Sequence, residues 1–283
     1  MTNTTDISTL KAGNVQAKDP KDTVRELLIR ARPIIAESLP KHLDATRLTR
    51  VALNAINTTP KLLECYVPTL VGAVMQAAQL GLEVNTPRGE AYLVPFWNSR
   101  KRRSDVQLIP GYRGLIDLAR RSGGVRGIEA AVVYALDKFD CRMGSDPSLS
   151  HEPFLDGPPG EKRLAYAIAR FSDGGWQFEL MPAWKIDDIK ARSKSRDKEG
   201  KLVGPWITDE DEMWRKTVVR RLCKYLPMSV ELARAVQLSD AGEAGQPQGL
   251  DRVLAGDFAV DPEPVDDGAP PPPAQPDDSA PPA

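Results

Sequence analysis

The sequence has no Gly-x-x-x-x-Gly-Lys-Ser/Thr loop, the arrangement whose backbone amides and lysine cradle nucleotide phosphates, so ATP hydrolysis of the usual kind is not expected. Gly111 and Gly114, and the later Gly123, Gly124 and Gly127, do not have the spacing of a dinucleotide fingerprint. Histidine is scarce. Only His42 and His151 occur, neither beside a Cys or Ser nucleophile, and no catalytic triad or zinc site can be placed. The three cysteines, Cys65, Cys141 and Cys223, are odd in number and far apart, and they read as reduced thiols of a cytoplasmic protein. Long apolar runs are missing too: Leu70–Met75 falls far short of the roughly 20 residues that span a bilayer. Met1–Leu10 is polar and lacks the basic-then-apolar order of a secretory signal, so no membrane partner is expected.

What is present is charge, unevenly placed. The net charge of −1 hides an acidic stretch, residues 241–283, with nine acidic residues to one arginine and 10 of the 25 prolines. That stretch carries −8, which leaves +7 on residues 1–240. Its small apolar surface cannot offset ordering entropy, so residues 241–283 are expected to be a disordered acidic tail. A basic body of this kind suits a polyanion partner.

Residues 1–20 read as a flexible leader, followed by three helical patterns. Val24, Leu27, Leu28 and Ala31 lead to Ile34 and Ile35, with a kink expected at Pro33. Asp44 is placed to cap a helix through Leu48, Val51, Leu53 and Ile56, ending before Pro60. A third helix starts near Pro68 and stops at Gly81. The period then changes to two. Glu90–Phe96 and Asp105–Ile109 form an expected hairpin around the loop Trp97–Ser104. A short helix, Leu115–Arg121, precedes a strand at Val125–Tyr134 and a loop at Ser145–Gly160. Leu164–Phe171 and Trp176–Met181 make a second hairpin, and helices at Ala183–Ser193, Asp209–Tyr225 and Val230–Leu238 close the body. Helices, then antiparallel hairpins, then helices indicate an α+β fold, and no internal repeat is visible.

Four basic features are candidate polyanion contacts. On helix 209–225, Lys216, Arg220 and Lys224 recur every four residues and form one stripe, flanked by Arg215 and Arg221; such a row either tracks a phosphate backbone or is a solvated face. Arg100, Lys101, Arg102 and Arg103 crowd a hairpin tip beside Phe96 and Trp97, where they either grip phosphate or keep the tip soluble. Lys194, Lys198 and Lys201 belong to a looser basic stretch that also includes Lys185, Lys190, Arg192 and Arg196. Arg113, framed by Gly111 and Gly114 at a helix start, suits close approach to a phosphate. Among the aromatics, Tyr92, Tyr112, Tyr134, Tyr166, Phe171, Trp176 and Phe178 read as core, whereas Trp206 in Gly204-Pro205-Trp206 reads as exposed. A metal-dependent nuclease is the alternative activity, and Asp209–Glu212 is the carboxylate run it would use. Those residues also suit a helix start, where Thr208 and Asp211 fit a capping box.

Five stretches, in order, carry a resemblance: AAQLGLEVN (77–85), GEAYLVPF (89–96), QLIPGYRGLIDLARRSG (107–123), GPWITDEDEMWRKTVVRRLCKYLP (204–227) and SVELARAVQL (229–238). Together they resemble the RecT family of phage recombination proteins, relatives of the lambda Red beta protein. The resemblance implies an annealing domain over residues 21–240 that coats single-stranded DNA and pairs it with its complement without ATP. It implies a homo-oligomer, ring or filament, and a positively charged groove in which Arg113, Lys216, Arg220, Arg221 and Lys224 would lie. The partners implied are single-stranded DNA, the annealed duplex, a partner exonuclease and the host single-strand-binding protein, in the cytoplasm of a bacterial host. No cofactor is implied, and magnesium would act only as a modulator of pairing. The family often has Lys where Arg113 stands and Ser where Pro182 stands. The acidic tail is either a solubilising tether, a partner dock or a competitor for the groove.

Overall fold

In the computed structural model, residues 20–39, 44–193, 195–196 and 199–255 are described. Residues 1–19 of the expected leader and residues 256–283 of the expected tail lie outside them, as do Lys194 and Lys198. Three N-terminal helices come first: α1 (Pro20–Ser38), α2 (Ala45–Thr58) and α3 (Val67–Leu80). The α1 helix runs on through Pro33. Asp44 caps α2 by accepting a 2.8 Å hydrogen bond from the Thr46 amide, and Leu48, Ala52, Ala55 and Ile56 form its buried face. Helix α3 is buried nearly all round, through Leu70, Val71, Val74, Ala77 and Ala78, as befits a helix enclosed by other elements. It ends where Gly81 adopts the left-handed conformation at φ 66°.

The hairpin β1 (Ala91–Asn98) and β2 (Arg103–Pro110) follows, antiparallel and in unbroken register from Ala91–Pro110 to Asn98–Arg103. Helix α4 (Tyr112–Arg121) connects it to β3 (Val125–Tyr134) of a second sheet with strand order β3-β6-β7, where β6 is Lys162–Phe171 and β7 is Trp176–Pro182. On one face of that sheet Ala165, Ala167 and Ala169 of β6 are buried, in register with Val132, Ala130 and Ile128 of β3. These small side chains let a helix lie close. That helix is α7 (Glu210–Cys223), reached through α5 (Ala183–Ala191) and the short α6 (Pro205–Thr208), and followed by α8 (Val230–Ala244).

Two expectations are corrected. The loop expected over 145–160 contains β5 (Ser148–Glu152), paired with β4 (Lys138–Arg142) as a separate ribbon. Its strands alternate exposed and half-buried residues, so the apolar signal is too thin to read. Asp137 anchors the ribbon by accepting from the Tyr134 and Phe154 amides at 2.7 and 2.8 Å, with His151 held between Asp137 and Tyr166. Burial pushes the Asp137 carboxyl up, but these hydrogen bonds hold it below the ordinary carboxylate range.

The second correction concerns the boundary at 240. Helix α8 continues to Ala244, and a 3-10 turn at Leu250–Ala255 packs against α3. The Gln248 carboxamide accepts from the Leu108 amide at 2.8 Å and donates to the Leu108 and Leu238 carbonyls, pairing an otherwise open stretch of β2. Net charge and proline content cannot register such specific pairing. Leu250 comes so near α3 that a Cβ at Gly72 would stand 1.8 Å from its carbonyl oxygen. Gly72→Ala is therefore expected to displace residues 249–255, seen as faster tryptic cleavage at Arg252. Gln248→Ala is expected to cost about 1–3 kcal/mol in denaturant titration, because the Leu108 groups are left with no buried partner.

Candidate nucleic-acid interface

Helix α7 carries an apolar side and a charged side along its whole length. Trp214, Val218, Val219, Leu222 and Cys223 are buried, facing the alanine surface of β6 and its neighbours. Burial alone pushes the Cys223 thiol up to about 12, so the group stays a protonated, buried thiol at neutral pH.

The acidic run at its start does not form the expected capping box. Asp209 is the N-cap, with no capping hydrogen bond from its side chain, and Thr208 donates to Asp209 instead of engaging Asp211. The next three carboxylates are all engaged, two of them sharing Lys162. Glu210 takes Lys162 at 2.5 Å and also Lys190. Asp211 takes Lys162 at 2.7 Å and the Tyr134 hydroxyl. Glu212 accepts from the Tyr112 hydroxyl at 2.7 Å and pairs with Arg215. Burial raises both Glu210 and Asp211, but Lys162 and their other partners outweigh it and hold both below the ordinary carboxylate range. Burial and the Asp211 bond push the Tyr134 phenol up to about 12. Among the described residues no group of three or more His, Cys, Asp or Glu side chains is arranged to hold a metal ion.

The stripe Lys216, Arg220, Lys224 does lie on one face, and the structure sets it against the acidic end of α8. Arg220, with only 12% of its side chain exposed, pairs with Asp240 at 3.8 Å and with Glu243. Lys224 pairs with Asp240 at 2.7 Å. Lys216 is half-buried and pairs with no carboxylate among the described residues; burial lowers its pKa, and only the more distant Glu243 opposes that. Arg221 lies apart from this stripe, bound to Glu179 on β7. The stripe is thus neither a bare phosphate track nor a solvated face.

At the tip of the β1–β2 hairpin the basic residues separate. Arg100 and Arg102 are exposed, Arg102 with φ at 49° in the turn. Lys101 and Arg103 reach Asp251 of the 3-10 turn at 3.2 and 3.3 Å, and Arg103 also binds Asp105 and lies over the Tyr66 ring, 3.5 Å from its centroid. Burial raises Asp251, yet Lys101 and Arg103 keep it below the ordinary range. Lys201 is exposed, far along the chain from this tip. Trp206 is buried at 5% exposure, contrary to expectation, because Gly204 at φ 79° and Pro205 start a short helix that turns the indole into the core. Arg113 is exposed in the first turn of α4, its Nε 3.5 Å from the Tyr112 hydroxyl, and no carboxylate forms an ion pair with it among the described residues. Tyr92 and Trp176, expected in the core, are 44% and 39% exposed.

Sequence reasoning misses the counter-charges Asp240, Glu243 and Asp251. The i, i+3 spacing of Asp240 and Glu243 places both on one side of a helix and is a usable signal. A helix ended at Leu238 leaves that signal unused.

The sequence pattern that defines the RecT family matches residues 46–250. The chain belongs to the RecT family. It is 40% identical over 233 residues to Protein RecT of Escherichia coli strain K12, covering 80% of this chain and 82% of that protein. An uncharacterized protein of Bacillus subtilis strain 168, YqaK, is 28% identical over 234 residues, covering 80% of this chain and 75% of that one. The family's match reaches Leu250, so it takes in α8 and Gln248 as well as the basic helix. Among the described residues no helix is long and apolar enough to cross a membrane.

The ion cluster at the start of α7 makes stability depend on pH. The folded values of Glu210 and Asp211 lie below their unfolded ones, so their contribution is complete above the ordinary carboxylate range of roughly pH 4 and is lost as pH falls through the lowered values. Burial lowers Lys162, but the same carboxylates outweigh it and raise the folded value, so its contribution is complete below the ordinary lysine value of roughly 10.4 and is lost as pH rises through the raised one. Denaturant titrations at pH 7 and pH 3 are expected to show a loss of stability on acidification, and Lys162→Met is expected to reduce that loss.

Proposed function

We propose that this RecT-family chain binds single-stranded DNA through Arg113 and the cationic side of α7, and anneals it to its complement without nucleotide hydrolysis. The observation that carries the reading is the exposed Arg113 guanidinium, which forms no ion pair with a carboxylate among the described residues, within a body matched over residues 46–250 by an annealing family. Cations along an extended backbone lower the repulsion between two strands and leave the base edges free, so sequence selection comes from base pairing itself. Annealing runs downhill. A protein that raises encounter and holds register needs no fuel. Register over many bases calls for many grips, which a ring or filament of subunits supplies. An exonuclease that exposes single strands and a host single-strand-binding protein are the partners such an activity calls for.

Arg220 and Lys224 enter this scheme by exchange. Their carboxylates, Asp240 and Glu243, hold them in place in the free protein, and phosphates replace those carboxylates when DNA arrives. Each such swap costs less than baring a partly buried cation, because one anion replaces another.

Two labelled complementary strands, mixed with and without the protein in nucleotide-free buffer, test the reading. Faster duplex formation at unchanged strand length supports it; shortened strands point to a nuclease, and binding without acceleration points to a coating protein. Arg113→Ala is expected to weaken single-strand affinity and to flatten the plot of log affinity against log salt by roughly 0.7 for each phosphate no longer neutralised. Arg113→Glu is expected to weaken it further.

A further inference from the structure

Tyr92 stands on the outward side of β1, opposite Ile109 on β2, with 44% of its surface exposed. Beneath it lie two glycines. A Cβ at Gly111 would meet the Tyr92 Cε2 at 3.3 Å, and a Cβ at Gly89 would meet the Tyr92 hydroxyl at 3.0 Å and the Arg113 Cδ at 3.7 Å. The ring and the arginine stem therefore converge over the same glycine floor. On the far side the Arg113 guanidinium lies 5.9 Å from the Tyr112 ring centroid, and Tyr112 is fixed by its bond to Glu212. Residues of two motifs thus build an open cradle: a ring face, a guanidinium and a floor without side chains.

Two other exposed aromatics, Tyr66 and Trp184, lack one of these parts. Tyr66 is covered by Arg103, whose guanidinium is already committed to Asp105 and Asp251. Trp184 has only its neighbour Lys185. Tyr92, unlike these two, adjoins an arginine that forms no ion pair among the described residues.

We infer that Tyr92 is a base-stacking platform: its open ring face takes one nucleobase of the strand whose phosphate Arg113 grips. The inference rests on the proposed single-strand binding. Stacking suits annealing because every base has a π-face, so any sequence is accepted, and because a base held by its face keeps its pairing edge outward.

The test compares oligothymidylate with an abasic backbone of equal length and charge, using the full chain and measuring affinity by anisotropy. Tyr92→Ala is expected to lose about 5- to 150-fold on oligothymidylate and to keep its affinity for the abasic strand. Tyr92→Leu, which retains bulk over Gly89 and Gly111, is expected to show the same selective loss, and Tyr92→Phe is expected to stay within about twofold of the unaltered chain. Equal loss on both strands, or no loss on either in the Ala and Leu variants, overturns the platform while leaving single-strand binding intact. If the unaltered chain binds neither strand, the proposed function itself fails.

Discussion

The β3-β6-β7 sheet and the helices that pack on it are organised around the burial of α7. Its apolar side must lie on the alanine surface of β6, yet the same 14 residues carry Arg215, Lys216, Arg220 and Arg221, with Lys224 just beyond. Charges brought near a low-dielectric core are costly unless each finds an opposite charge. The surrounding elements answer that requirement one by one. Sheet residues Lys162 and Glu179 take the carboxylates at the start and Arg221 near the end, while Asp240 and Glu243 of α8 take Arg220 and Lys224. Lys216 is left without an ion pair among the described residues, and burial lowers its pKa against only the charge of Glu243.

The segment after residue 239 extends this logic across the molecule. From one stretch of chain, Asp240 and Glu243 neutralise α7, Gln248 pairs the backbone of β2, and Asp251 neutralises Lys101 and Arg103 at the hairpin tip. Close approaches fix it in place: Gly72 admits Leu250, and Gly242 admits Ile109, whose Cδ1 would lie 2.3 Å from an added Cβ. Acidic residues that composition assigns to a tail are thus partly structural. They also resemble the polyanion that the same cations are proposed to bind. Arg113 stands outside this arrangement.

Strong local signals are legible in the sequence. Asp44 as a cap, Gly81 as a stop, the β1–β2 hairpin and the helical stripe on α7 follow from periodicity and from residues whose backbone preferences are steep. Motif order points to the family, and the family pattern agrees. What escapes is set by tertiary partners. Trp206 lies in a Gly-Pro context that resembles an open loop, and only the packing of α6 shows it buried. The expected box between Thr208 and Asp211 yields to Lys162, 48 residues from Glu210, and to Tyr134, 77 residues from Asp211, both invisible to local rules. The charged stripe is visible as a stripe, but its neutralisation by α8 is not, since a count of net charge splits those carboxylates, Asp240 falling in the basic body and Glu243 in the acidic stretch.

The claim that matters most is that intramolecular carboxylates and DNA phosphates compete for one set of cations. Single-strand affinity measured across a salt series, for the unaltered chain and for Asp240→Asn with Glu243→Gln, tests it most directly. Competition predicts tighter binding by the double variant at low salt, with the two curves converging as salt screens both partners. Equal affinities at every salt concentration, in a variant that melts cooperatively, would contradict it.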